Sequence, residues 1–286
     1  MTVRGFVGAS RSWEVLWVLV GPIRWVIAHF PTRKGRGRLT LILDRILSGP
    51  SGRPSTVILG VPAGGQVHIG GATGMVRSAI ARGQFEAAEL ALLSRLCRPG
   101  SVAFDVGANV GLFSVALAQA VGPTGRVVAI EPYPESIEHL IENLRRNAID
   151  NVVVVPMAVG ATTGTGRFIP SLDPALIQVE ATAAEAGSTV AIATLDDLWR
   201  DLGSPSVSVL KIDVEGSEVG VLRGATALLA TGPALMVETH ATEYPETVGL
   251  LRSLGYEHQV APLEPWNHLF RFDAERSGTP VADDAG

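Results

Sequence analysis

From Phe85 onward, apolar positions alternate between two periods. FEAAELALLSRLC repeats its apolar residues every three to four positions and stops at Arg98-Pro99-Gly100, which predicts a helix and its end. Short, nearly continuous apolar runs then alternate with helix-period segments: VAFDV, VGLFSVALAQAV, RVVAIE, PESIEHLIENLRRN, NVVVVPMAV. After a break follow SVSVLKIDV, EGSEVGVLRGATALLA, PALMVETH, a helix around Pro245–Leu254, YEHQVAP and HLFRF. Continuous apolar strands separated by helices predict an α/β fold with a mostly parallel sheet covered on both faces. Residues 171–188 are Ala-rich and weakly patterned, and are expected to form a loop or lid. TVILGVPAGGQVHIGG reads as two strands and a glycine turn; without the Lys-Ser/Thr of a phosphate loop it is a hairpin.

The expected organisation is an N-terminal extension over residues 1–80, a main domain over 81–273 and a disordered tail over 274–286. Up to residue 55 there are nine Lys/Arg against Glu14 and Asp44, whereas the remainder carries 14 basic and 26 acidic residues. An acidic body is a poor partner for nucleic acid, which needs clustered cations. One cysteine, Cys97, excludes a disulfide framework and a multi-cysteine zinc site, as expected of a cytoplasmic protein. In WEVLWVLVGPIRWVIAHF, Gly21, Pro22 and Arg24 interrupt the ~20 apolar residues a membrane span requires. Glu14 and the lack of a small-residue cleavage site argue against a signal peptide. Two readings stay open: a pair of short helices packed on the main domain, or peripheral contact of residues 13–38 with the inner face of a membrane. Trp13, Trp17, Trp25 and PTRKGRGR suit a headgroup layer.

The chemistry gathers at strand ends. Asp105 ends one run, Gly107-Ala108-Asn109-Val110-Gly111 turns into the next helix, and Glu131 ends the following run 24 residues beyond Gly107. A glycine turn at a helix start brings backbone close to a ligand, and an acid on the next strand can take both hydroxyls of a ribose. The phosphate fingerprint G-x-G-x-x-G is absent, and Asp105 would repel a pyrophosphate. A cationic nucleoside such as S-adenosylmethionine fits better than a nicotinamide dinucleotide; an oxidoreductase and a non-catalytic nucleoside-binding module are the alternatives. Further on, Lys211 and Asp213 share one strand face and Glu238 and His240 another. If the two strands are neighbours, four ionisable groups meet at one rim. His240 is the candidate general base, with Asp213 or Glu238 orienting it or the acceptor, while Lys211 either acts directly or neutralises an acid. Glu215 and Ser217 are expected to cap the next helix. One histidine and two carboxylates do not specify a metal, and none is expected. His68, His139 and His258 have no constellation around them.

GQFEAAELALLSRLCRPG, DVGANVG followed by Ser114, GRVVAIEPYPESIEHLIENLRRN, TLDDL, LKIDVEGSEVGVLRGA and the Pro233–His240 strand together resemble the FkbM-type S-adenosylmethionine-dependent methyltransferases over roughly residues 83–240. That resemblance implies a Rossmann-like class I methyltransferase fold with a seven-stranded sheet. It also implies O-methylation of a small-molecule, sugar, glycolipid or polyketide acceptor. By the same resemblance Asp105, Gly107, Asn109 and Gly111 would line the methionine end of the cofactor and Glu131 its ribose, with Tyr133 at the adenosine. The acid that many methyltransferases place after the third strand is replaced by PMAV, which leaves adenine recognition to the neighbourhood of Met157 and Ala158.

Overall fold

The computed structural model describes residues 57–61, 64–69, 86–169, 178–181, 189–239, 242–261 and 263–273. The tryptophan-rich head, the 274–286 tail and His240 therefore lie outside the described residues. Backbone contacts divide the chain into two units, residues 1–60 with 68–85 and residues 61–67 with 86–286. The predicted hairpin forms: β1 (Val57–Gly60) and β2 (Gln66–Ile69) make a two-stranded sheet. Among the described residues no helix is long and apolar enough to cross a membrane.

The second unit is an α/β layer structure. Its central sheet comprises β3 (Val102–Val106), β4 (Arg126–Ile130), β5 (Val152–Val155), β10 (Val207–Ile212), β11 (Ala234–Glu238), β12 (Tyr256–Gln259) and β13 (Asn267–Phe272). The spatial order is β12-β13-β11-β10-β3-β4-β5. The five central strands run parallel and β13 lies antiparallel to both β11 and β12. The chain builds outward from β3 to β5 and then restarts at β10 on the other side of β3. Their carboxyl ends form the switch point at which open α/β sheets bind ligands.

The two faces of the sheet differ because side chains alternate. Phe104, Val106, Val128, Ile130, Leu210, Ile212, Leu235 and Val237 point into the main core. There they meet apolar residues of α4 (Leu195–Asp201), α5 (Glu218–Arg223), α6 (Thr226–Leu229) and α7 (Tyr244–Ser253). Fully buried leucines such as Leu210 and Leu222 carry this layer; truncating either to Ala costs about 2–5 kcal/mol. The opposite face offers Ala103, Asp105, Val127, Ala129, Val209 and Lys211 to α1 (Ala87–Leu96) and α2 (Leu112–Val121). In register, Lys211 stands beside Asp105 on one side and Met236 on the other. A third helix, α3 (Pro134–Arg146), starts after β4 with proline at its first position, where no amide is needed.

Three local expectations are corrected. NVVVVPMAV is not one strand. Pro156 has no N–H, and β6 (Ala158–Val159) beyond it joins a second sheet, β6-β9-β7-β8, with β7 (Gly164–Ile169), β8 (Gln178–Ala181) and β9 (Thr189–Ala193). The stretch expected to be a loop or lid thus contributes β8, paired antiparallel to β7. EGSEVGVLRGATALLA is two helices, broken at Gly224-Ala225. A side chain on Gly224 would collide with the Gly160 carbonyl, and Asp196 caps α6 from afar by accepting the amides of Ala227 (2.9 Å) and Leu228 (2.8 Å).

Candidate active site

The glycine turn after β3 is fixed by the strand beside it. Gly107 and Ala108 donate their amides to the Ile130 carbonyl at 2.9 and 3.0 Å. Gly107 and Asn109 are both left-handed, with φ 77° and 48°; asparagine is among the side chains that tolerate this region. A Cβ on Gly107 would overlap the Asp213 carbonyl oxygen, so the turn presses directly on the end of β10. Glu131 Oε2 accepts the Asn109 amide at 2.8 Å and its Oε1 accepts the Tyr133 amide at 2.9 Å. One carboxylate thereby locks the glycine turn to the start of α3. Burial pushes the Glu131 carboxyl up, and the Tyr133 and Asn109 amides pull it back.

These elements open onto a cavity of about 380 Å³, within the size range of small-molecule sites. Its walls include Gly107, Asn109, Glu131, Tyr133, Met157 and Ala158, together with Asp213 on the β10 side. Ser136, Gly160, Thr162 and Gly220 also line it without a sequence signal, because α3, the segment after β6 and α5 reach the cavity only through tertiary packing; Glu215 and Ser217, expected as helix caps, line it too. Asp105 and Gly111, expected to line the ligand, are not among the walls. Gly111 instead begins α2 at φ 90°, where a Cβ would run into Leu140 of α3.

Asp105 sits behind the glycine turn in a buried charge cluster. Its carboxylate is 0% exposed, accepts the Ser114 hydroxyl at 2.6 Å and lies 3.7 Å from Lys211 Nζ. Lys211 reaches Asp213 Oδ2 at 3.1 Å and the Gly107 carbonyl at 3.3 Å, and its ammonium lies 4.9 Å from the centre of the Phe113 ring. Burial works against the charge on Lys211, but Asp213, Asp105, Glu86 and Glu238 outweigh it and hold the ammonium above its usual range. Asp105 is raised by burial, which Lys211 and Ser114 oppose. Lys211 thus bridges acids on two strands and is not a cavity wall.

Glu238, at the end of β11, is pushed up to about 9, first by burial and then by Asp213. Glu86, just before α1, is pushed up to about 8 by burial, which Lys211 opposes. Glu86 lies in the GQFEAAEL stretch but was not singled out, since only the packing of α1 on β10 brings it to this cluster. The expected helix cap is also corrected: Ser217 makes no side-chain cap bond, and Glu218 supplies the acceptor, taking the amides of Val214 (3.2 Å) and Gly216 (3.0 Å). Among the described residues no group of three or more His, Cys, Asp or Glu is arranged to hold a metal. His258 does have close neighbours, packing against the rings of His268, Tyr244 and Phe270.

The methyltransferase FkbM domain matches residues 105–258, more than half the chain. This protein belongs to the FkbM methyltransferase family. The hexuronic acid methyltransferase AglP of Haloferax volcanii is 31% identical over 165 residues, covering 57% of this chain and 65% of AglP. The 31-O-demethyl-FK506 methyltransferase FkbM of Streptomyces tacrolimicus is 30% identical over 197 residues, covering 56% and 74%. Among solved structures, Aeropyrum pernix fibrillarin with natively bound S-adenosyl-L-methionine is similar at 14% identity and a TM-score of 0.39, covering 64% of this chain and 72% of that one. The chain thus spans 65% of the length of AglP. The methyl donor of the family is S-adenosylmethionine. The cavity suits a nucleoside of that kind: each Glu131 oxygen has accepted one amide and keeps a second acceptor site for a ribose hydroxyl.

Proposed function

We propose that this FkbM-family protein methylates a hydroxyl oxygen of a sugar, glycolipid or polyketide, taking the methyl group from S-adenosylmethionine. One observation carries the reading: Glu131, held by the amides of Asn109 and Tyr133, and Asp213 both face one cavity at the switch point of the sheet. Glu131 is assigned to the ribose, Tyr133, Met157 and Ala158 to the adenosine, and Gly107 and Asn109 to the methionine end. Bound there, the cofactor supplies an electrophilic methyl group on a sulfonium. Asp105 and Gly111 act from behind the wall, by anchoring Lys211 and by letting α2 approach α3.

A sugar hydroxyl is a weak nucleophile, so a group that takes its proton helps. Asp213 faces the cavity, and Glu238, at the end of the neighbouring strand β11, is not among its walls. Glu238, pushed up to about 9, is assigned with Asp213 to orienting His240 or the acceptor. Proton removal then falls to His240, with Asp213 orienting it. Sugar and polyketide acceptors are favoured by the hexuronic acid and FK506 methylation for which AglP and the FK506 methyltransferase are named, and nothing in the acidic body favours nucleic acid.

Calorimetry with S-adenosylhomocysteine and, separately, NAD tests the cofactor. Binding of the first alone is expected; binding of NAD alone would overturn the assignment. Incubation with labelled-methyl cofactor and a panel of uronic-acid glycosides and hydroxylated polyketides, read by mass spectrometry, tests the acceptor. Cofactor binding with no transfer to any of them favours a non-catalytic nucleoside-binding module. The His240→Ala variant is expected to lower turnover while leaving cofactor affinity nearly unchanged, and full activity at neutral pH would remove His240 as the base.

A further inference from the structure

Past Asp213 the rim of the sheet continues without a break. Ile212 of β10 is level with Val237 of β11, and Glu238, one step on, is level with Asn267 of β13. Because β13 runs antiparallel to β11, its first residues stand where β10 and β11 end. Neighbouring strands lie about 4.8 Å apart, which puts Trp266 and Asn267 about 10 Å along the rim from Asp213. The cavity walls stop at β10, with no described residue of β11 or β13 among them.

The connection from β12 to β13 brings apolar surface to this place. Val260 is 98% exposed and Trp266 43%, and Pro265 is exposed as well. The loop is nevertheless held from inside. Glu89 of α1, 1% exposed, accepts the Glu264 amide at 2.6 Å, and the same oxygen lies 3.5 Å from Asn267 Nδ2. The Asn267 amide donates to the Glu264 carbonyl and the Thr239 amide to the Trp266 carbonyl, both at 2.9 Å. Trp266 is thereby fixed by its backbone beside the end of β11. Its indole has no aromatic or hydrogen-bond partner among the described residues. The indole of Trp199, by contrast, donates to the Pro205 carbonyl at 2.9 Å.

An indole face is apolar and electron-rich, and its edge carries one N–H donor. A sugar ring complements it, with C–H bonds on its faces and hydroxyls around its perimeter. Carboxylates that accept those hydroxyls stand at the same strand ends: residues 211–217, 234–239 and 259–267 carry Asp213, Glu215, Glu238 and Glu264 against a single Lys/Arg, Lys211. Lys211 is already bound to Asp213 and the Gly107 carbonyl. The same acids make the loop a poor contact for an anionic lipid surface, which calls for cations. We infer that Trp266 is the stacking platform of the acceptor subsite, and that a sugar ring lies on it while the hydroxyl to be methylated points toward Asp213. This rests on the proposed methyl transfer for the place of the methyl group; the stacking of a sugar on Trp266 does not.

The test uses the full-length protein, with and without S-adenosylhomocysteine, and a panel of methyl glycosides of neutral and uronic sugars. Binding is read by saturation-transfer NMR and by the indole N–H resonance of Trp266, identified by its absence in Trp266→Phe. At least one glycoside is expected to bind the wild type and to shift that resonance. In Trp266→Ala its affinity is expected to fall at least about tenfold, the scale of losing one buried aromatic contact, and Trp266→Phe, which keeps a ring, should recover most of it. Should Trp266→Ala fail to fold, the indole resonance of the wild type decides the matter. An unmoved resonance, or equal affinity in wild type and Trp266→Ala, would overturn the proposal. So would a hydroxylated polyketide that shifts the resonance where no glycoside does. Loss of binding to lipid vesicles in Trp266→Ala would also overturn it, marking the loop as a lipid contact. If glycosides shift the resonance while S-adenosylhomocysteine does not bind, the cofactor assignment falls and the sugar platform stands. If S-adenosylhomocysteine binds and every glycoside leaves the resonance unmoved, the platform falls and the cofactor assignment stands.

Discussion

Gly107 answers two demands at once, a left-handed backbone and the direct approach of the Asp213 carbonyl, so no side chain can be placed there without moving β3 away from β10. Gly107→Ala is expected to destabilise by about 3 kcal/mol or more and to abolish S-adenosylhomocysteine binding, measured by urea unfolding and calorimetry. Glu238 and Glu86 give a second test, in pH. Both keep their protons to higher pH in the folded protein, to about 9 and about 8, than in the unfolded chain. As pH rises through the ordinary carboxylate range the unfolded chain releases those protons first and binds fewer than the folded one, so unfolding gains. Their contribution is full below the usual carboxylate range and is lost as pH rises toward 8 to 9. Melting temperatures are therefore expected to fall between pH 5 and 9, and to fall less in Glu238→Gln; a wild-type curve that rises over this range would contradict both assignments. The carboxylates at strand ends were legible in the sequence because strand periodicity puts Lys211 with Asp213 on one face. That Asp105 turns inward to Lys211 and is not a wall of the cavity was not, since only the register of β3 against β10 decides it.

Helices and strands were legible where the sequence repeats its own signal. The six consecutive buried positions of β10 are what a central strand covered on both faces requires; β5, equally apolar in its four valines, is an edge strand and stays half-exposed, and both were legible from apolar continuity. The second sheet was less visible. β7 and β8 carry Gly164, Gly166 and a glutamate among few apolar residues, and exist because each finds a partner in the other. The break between α5 and α6 was hidden for a related reason. Its determinants, the Gly160 carbonyl and the Asp196 carboxylate, are remote in sequence from the helix they interrupt. Asp196→Ala leaves two amides of α6 without their acceptor and is expected to cost about 1–3 kcal/mol by chemical denaturation. Asp196→Asn, which keeps one side-chain oxygen, should recover part of that loss. An Ala variant as stable as the wild type would show that α6 is held by its apolar face alone, through Leu228 and Leu229.

Charge is divided unevenly along the chain, with an excess of basic residues up to position 55 and an excess of acids beyond it. An acidic body is repelled by an anionic membrane, so any attraction must come from the basic head, and such attraction decays over about 10 Å at 0.1 M salt. The glycolipid branch of the proposed function gives that attraction a purpose, because a lipid-linked hydroxyl is presented only at a headgroup layer. Full-length protein is therefore expected to co-sediment with phosphatidylglycerol vesicles at low salt and not with phosphatidylcholine vesicles. Replacing Arg33, Lys34, Arg36 and Arg38 with alanine should release it, at roughly 1 kcal/mol for each charge removed. Raising the salt should do the same, while Trp13, Trp17 and Trp25 add a component that salt does not screen. If the wild type stays in the supernatant with both kinds of vesicle, the head has no membrane role and the acceptor must be sought among soluble sugars and polyketides. If the wild type binds and the four-alanine variant binds equally well, the tryptophans alone carry the contact, and its dependence on anionic lipid should vanish with the charges.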